Sequence, residues 1–146
     1  MTETKATAPA AWMTADDLNG NLGALAETMG IRFTEVSLER VTATMPVEGN
    51  TQPYGLLHGG ASVVLAETVG SMMAVLHAGR GRAAVGITIN AIHHRPKTDG
   101  VVTATATVLQ AGRTTASMDI AITDEAGRRI CSSTLVCQLR DTPPAR

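Results

Sequence analysis

Between Ala61 and Leu76 the chain carries one charged residue, Glu67, in a segment of otherwise small and apolar residues. The pattern predicts a long helix, apolar on nearly every side. Such a helix is normally buried on every side. A carboxylate buried without a partner is costly and commonly shifts its pKa upward. An acid in this position is therefore either structurally paired or used in chemistry. Residues three and four apart share a helix face, which groups Glu67 with Gly60, Val63, Val64, Gly70, Ser71 and Ala74. Gly60, Gly70, Ser71 and Ala74 are small, so a ligand or a second helix can approach closely. Ser71, at i+4, is placed to hydrogen-bond the carboxylate and orient it.

The start of this helix supplies the complementary group. The first N–H groups of a helix lack partners inside it, and the dipole places partial positive charge there. Gly59 and Gly60 leave those donors unshielded, so the site suits an anion or a carbonyl oxygen. Gln52 and His58 stand close in sequence and can add donors. Gly59 and Glu67 are eight residues apart, an axial separation of about 12 Å at 1.5 Å per residue. One carbonyl centre does not easily touch both. If both act on one substrate they come from different chains, which implies a dimer with the site at the subunit interface.

The elements that must position these groups follow from the rest of the pattern. A helix is expected from Thr14 to about Met29, capped by Thr14 with Asp16 and Asp17 in its first turn, weakened by Gly20 and Gly23 and ended by Gly30. Ile31–Leu38 and Val41–Val47 read as strands. Residues 48–57 form a loop. The long helix follows, to about Leu76 or His77, closed by Gly79 and Gly81. Four strands are expected after it: Ala84–His93, Val101–Leu109, Thr115–Ile122 and Arg128–Leu139, with Val85, Ile87, Ile89 and Ala91 on one face of the first. Short connections imply antiparallel pairing. One curled antiparallel sheet with one central helix gives an α+β fold. Residues 1–11 are expected to be a disordered N-terminus, residues 12–140 a single domain, and residues 141–146 a loose tail.

The run Gln52-Pro53-Tyr54-Gly55-Leu56-Leu57-His58-Gly59-Gly60, followed by Leu65-Ala66-Glu67, resembles the hotdog-fold acyl-CoA thioesterases. The similarity spans about residues 30–140. It is strongest toward the branch holding the phenylacetate-pathway type, the glutamate-type 4-hydroxybenzoyl-CoA thioesterases and the enzymes acting on 1,4-dihydroxy-2-naphthoyl-CoA. The resemblance implies the hotdog fold, a curved antiparallel sheet wrapped around one long helix. It implies hydrolysis of an aryl, arylacetyl or medium-chain acyl-CoA to free acid and CoA, without metal or other cofactor. Glu67 would be nucleophile or general base. The Gly59 N–H would polarise the thioester carbonyl, assisted by Gln52. His58 would support that loop, and Ser71 would position the acid or the water. Val85, Gly86 and Ile87 would form the strand edge along the pantetheine and Gly60 would join the substrate-binding set, with Asn90, His93, Arg95 and Arg113 toward the CoA end. The assembly implied is a homodimer as minimal unit, arranged as a dimer of dimers, a homotetramer.

Composition narrows the alternatives. Over 146 residues, 44% are hydrophobic, 17% are charged and the formal net charge is −1, which fits a globular domain. No basic block points to nucleic acid or an anionic membrane surface. Trp12, Phe33 and Tyr54 are the only aromatics of the Phe, Trp and Tyr type, so the core must be aliphatic and stacking platforms for single strands are lacking. Cys131 and Cys137 fall six residues apart on one expected strand, about 20 Å, beyond the reach of a disulfide. Free thiols, and an N-terminus without signal-peptide character, lead to the expectation of a soluble cytoplasmic protein. His93-His94 invites a metal, but adjacent strand residues face opposite ways and no companion ligand set accompanies them. Two rivals share the scaffold. An enoyl-CoA hydratase of this fold would carry an Asp-then-His pair, which is missing here. A non-catalytic acyl-CoA-binding regulator would need a DNA-binding segment.

Overall fold

The computed structural model describes residues 11–141. The expectations for most of the N-terminus and for the tail lie outside the described residues. Nine elements follow in order: α1 (Ala15–Asn19), α2 (Ala24–Thr28), β1 (Arg32–Val36), β2 (Val41–Pro46), α3 (Gly59–Ala78), β3 (Ala83–His93), β4 (Val101–Ala111), β5 (Thr115–Thr123) and β6 (Arg129–Arg140). The strands form one six-stranded sheet in the order β1-β2-β4-β5-β6-β3, every neighbouring pair antiparallel. The sheet curves around α3, which contacts β2, β3, β4, β5 and β6. This is the hotdog fold.

The expected helix from Thr14 to Met29 is two short ones instead. Thr14 caps α1 in a capping box, with the Thr14 N–H donating to Asp17 at 2.8 Å and the Asp17 N–H donating to Thr14 Oγ1 at 3.2 Å. The chain then turns at Gly23, whose φ of 81° a helix cannot accommodate. Asn19 ties α1 to the sheet, donating to the Phe33 carbonyl at 2.9 Å and accepting the Phe33 N–H at 2.8 Å.

α3 contains Val63, Val64, Thr68, Val69 and Val75, β-branched residues that do not favour helix. Tertiary packing holds it. Ala61, Leu65, Ala66, Val69, Gly70, Met73, Ala74 and Leu76 are buried on one side of it. They meet Met45, Val102, Met118, Ile120 and Leu135, all fully buried. Each such side chain contributes about 1.5–3 kcal/mol relative to exposure. Gly70 sets the closeness of this contact, since a Cβ there would stand 2.8 Å from Leu135 Cδ2.

The expectation that α3 is buried on every side is corrected. Val63, Val64, Thr68, Ser71, Met72 and Val75 are only half-buried, and Glu67 is exposed within the protomer. The chain's own sheet covers one face of α3 and leaves the other open. By length and hydropathy α3 is long and apolar enough to cross a membrane, but half of that apolar window is packed inside the protein, as in a core helix.

The expected alternation of β3 is also corrected. Its register with β6 shifts between Gly86 and Thr88, a bulge that turns side chains off the simple alternation. Ile87 is 59% exposed and Ile92 62% exposed. β3 is thus a long edge strand with an apolar surface, continuous with the uncovered face of α3.

Candidate active site

The loop before α3 is closed by its own backbone. Gln52 N–H donates to the Leu56 carbonyl at 2.8 Å, and Gly55 N–H to the Gln52 carbonyl at 2.9 Å. The Gln52 side-chain oxygen accepts the Tyr54 N–H. Leu57 N–H bonds Lys97 O at 2.7 Å and His58 N–H bonds Asn50 O at 2.9 Å, which anchors the entry to the helix. Here an imidazole does the work usually done by Ser or Asp at a helix start. His58 Nδ1 accepts the Gly60 N–H at 2.8 Å, so the neutral ring carries its proton on Nε2.

That cap distinguishes the two glycines. The Gly60 N–H is occupied by His58, while the Gly59 N–H has no acceptor among the described residues. Gly59 opens onto a cleft of ≈ 350 Å³ lined also by Gln52, Leu57, His93 and Arg95. His93 stands against Gly59 itself: a Cβ on Gly59 would lie 2.8 Å from His93 Nε2. The sequence reading sent His93 toward the CoA end; the fold puts it at the Gly59 donor. His94 bonds Ser132 Oγ at 3.0 Å instead. Arg95 reaches the same cleft and donates to the Arg129 carbonyl at 3.0 Å.

Glu67 lies in a different groove, of ≈ 240 Å³, with Leu25, Val64, Thr68 and Ser71. It forms no hydrogen bond among the described residues, and Ser71 lines the groove beside it without bonding it. The carboxylate rests on β3, where a Cβ on Gly86 would meet Glu67 Oε1 at 2.8 Å. Opposite Gly86 in the ladder is Cys137, fully buried. Burial pushes the Cys137 thiol up and the nearby Glu67 charge adds to this, while the Ser71 hydroxyl works in the other direction. The sequence reading took Cys137 as an unpaired thiol and not as a neighbour of Glu67. Its place two residues beyond Leu135, on the same face of an alternating strand, was the available signal.

Val64 also borders an apolar cavity of ≈ 490 Å³ formed with Met29, Asn50, His58, Gly60 and Ala61. It runs alongside the Glu67 groove, and neither Leu25 nor Met29 stood out in the sequence. Asn90 braces β6, its Oδ1 accepting the Thr134 N–H at 3.0 Å. Arg113 is remote from all of these. It borders a cavity of ≈ 620 Å³ with Arg82, Arg140 and Asp141 at the other end of β3, where Arg82 pairs with Asp141 at 2.8 Å.

A free backbone donor at a helix start and a carboxylate farther along the same helix thus stand on a hotdog scaffold. The thioesterase superfamily profile matches residues 54–131. A proofreading thioesterase, EntH, of Cronobacter turicensis is 46% identical over 125 residues, covering 84% of this chain and 91% of its own. The crystal structure of thioesterase HI1161 from Haemophilus influenzae superposes with a TM-score of 0.86 at 36% identity, covering 92% of this chain and 96% of that one. PaaI of E. coli, from the phenylacetic acid degradation operon, gives 0.78 at 26% identity over 88% and 91%. The chain belongs to the thioesterase superfamily. It is an enzyme that hydrolyses thioesters, and the family's substrates are acyl-CoA molecules.

Proposed function

We propose that the chain hydrolyses aryl, arylacetyl or medium-chain acyl-CoA in a site that takes Gly59 from one subunit and Glu67 from another. The observation that carries this is the separation of the two groups. They lie in distinct cavities of one rigid helix, about 12 Å apart along its axis. The apolar edge of β3 and the uncovered face of α3 favour a second copy at that surface. In an antiparallel β3–β3 pairing, the Gly86 end of one strand lies toward the His93 end of the other. That carries Glu67 of one chain toward the Gly59 cleft of its partner. It also carries the Arg82–Arg113 cavity toward Arg95, which suits the CoA phosphates.

The thioester carbonyl accepts the Gly59 N–H, with Gln52 and His93 beside it. Negative charge developing on that oxygen is stabilised by the fixed donor and the helix dipole. Glu67 either attacks the carbonyl carbon or removes a proton from the attacking water. The C–S bond breaks, sulfur leaves as CoA thiol, and water supplies the hydroxyl of the free acid. His58 keeps the Gly60 N–H occupied and fixes the loop. The relative from a phenylacetic acid degradation operon favours an arylacetyl or aryl group. The buried free thiols Cys131 and Cys137 suit a soluble cytoplasmic enzyme, a dimer of dimers in its assembled form.

The test is complementation. Glu67→Ala removes the acid. Gly59→Pro removes the donor and drives a ring into His93. Each alone should be inactive on benzoyl-CoA or phenylacetyl-CoA. Refolded together, random pairing makes about half of the dimers mixed, each with one intact site, so about a quarter of wild-type activity returns. A mixture that stays inactive, with mixed dimers present by native mass spectrometry, refutes the shared site.

A further inference from the structure

We infer that Gly86 is a positioning residue for the reaction: the side chain it lacks, at the bulge of β3, is what seats the Glu67 carboxylate. The inference rests on the assignment of Glu67 proposed above and adds the element that aims it.

Two glycines set the height of the carboxylate over the sheet. Gly70, one turn after Glu67, lets α3 press onto Leu135, where a Cβ would come within 2.8 Å of Leu135 Cδ2 and 3.2 Å of Ile120 Cδ1. The helix is thereby held low, and Glu67 descends onto β3. At the point of contact stands Gly86, where a Cβ would lie 2.8 Å from Glu67 Oε1. The next neighbour of that Cβ, Leu135 Cδ1, is at an ordinary 3.7 Å. The collision is therefore with the carboxylate and with no part of the core.

Gly86 is also not held by its backbone. Eight glycines of the chain have positive φ, and Gly86 is not one of them. Alanine can adopt its conformation without strain. The neighbouring register shift, between Gly86 and Thr88, bends the strand beneath the acid. Across the ladder the small, buried Cys137 completes the floor beneath Glu67. Glu67 has no hydrogen bond among the described residues to hold it, so the shape of this floor decides where the carboxylate stands.

An added methyl at Gly86 should move the carboxylate and leave the fold alone. Misplacement of a reacting group by about 1 Å costs on the order of 10- to 100-fold. Gly86→Ala should accordingly lower kcat by on the order of 10- to 100-fold with KM changed by less than about twofold. Aspartate is shorter by one methylene, about 1.5 Å. Glu67→Asp should lower kcat in the wild-type background and raise it, by on the order of tenfold, in the Gly86→Ala background. The four proteins are compared for kcat, KM and Tm on phenylacetyl-CoA. An unchanged kcat in Gly86→Ala overturns the inference. So does a Glu67→Asp cost that is equal in both backgrounds, or a loss of folding in Gly86→Ala, which would make Gly86 a structural residue. Glu67→Gln, measured alongside, separates the two levels: if it stays active the assignment of Glu67 is wrong, and if it is dead the cycle judges Gly86 alone.

Discussion

Two acids of this chain, Asp124 and Glu67, sit in opposite circumstances. Asp124 is 5% exposed in the β5–β6 turn and fully engaged. It accepts the Ala126 N–H at 3.0 Å, the Arg128 N–H at 2.8 Å and the Arg128 guanidinium at 2.7 Å. Burial pulls its pKa upward, but the Arg128 backbone and guanidinium and the Ala126 N–H outweigh burial and hold it below the ordinary value. Glu67 is exposed on an otherwise apolar helix face, with no donor assigned to it. A buried acid with both carboxylate oxygens engaged is a structural part. An acid left unpartnered on an apolar surface, above a glycine and beside a groove, is available for chemistry. Burial alone, the criterion that first singled out Glu67, selects the wrong one of these two.

The largest effect that would sharpen this contrast is on catalysis. Glu67→Gln should lower kcat by on the order of 10³-fold or more, with Tm unchanged within about 2 °C, because no internal hydrogen bond is lost. Near-normal turnover, measured by CoA thiol release, would break the comparison. Asp124→Ala should do the reverse. Removing it strands the Arg128 and Ala126 donors, so Tm should fall by on the order of 5 °C while kcat per folded molecule stays the same. A change in kcat without a change in Tm would remove Asp124 from the structural class.

The smallest effect belongs to the neighbouring acid, Glu125. Its carboxylate accepts from Lys97 Nζ at 2.8 Å and from the Val101 N–H at 2.7 Å, joining the β5–β6 turn to the start of β4. The Lys97 hydrogen bond, then that of Val101, lowers its pKa from 4.5 to about 2. A depressed carboxylate stabilises the fold above its unfolded pKa, and the contribution is lost as pH falls through the folded value. The Tm advantage of wild type over Glu125→Gln should thus be present at pH 7 and shrink as pH falls from 4.5 to about 2. A constant difference across that range would show that the pair is a surface contact without linkage.

Much of this was legible in the sequence because it is local. Glycine at both ends of α3, the apolar run between them and the short turns between alternating strands specify one helix and an antiparallel sheet. Each depends only on residues a few positions apart. The spacing of Gly59 and Glu67 is a property of helix rise, so the expectation that one carbonyl centre does not easily touch both followed without coordinates. Gly20 and Gly23 were visible as weak points, but only the fold showed that α1 stops at Gly20 and that a second helix starts after Gly23.

Tertiary structure alone decided the contacts between distant segments. His93 against Gly59, Gly86 beneath Glu67 and Cys137 opposite Gly86 join residues from different elements. Which residue of β3 meets which turn of α3 depends on a one-residue bulge and on how low Gly70 lets the helix sit. The open face of α3 has the same origin. Composition makes a helix apolar all round, but one chain has only enough sheet to cover one side. The sequence determined which groups exist and how far apart they stand on one element; packing between elements decided which of them face each other, because that depends on distances no local periodicity encodes.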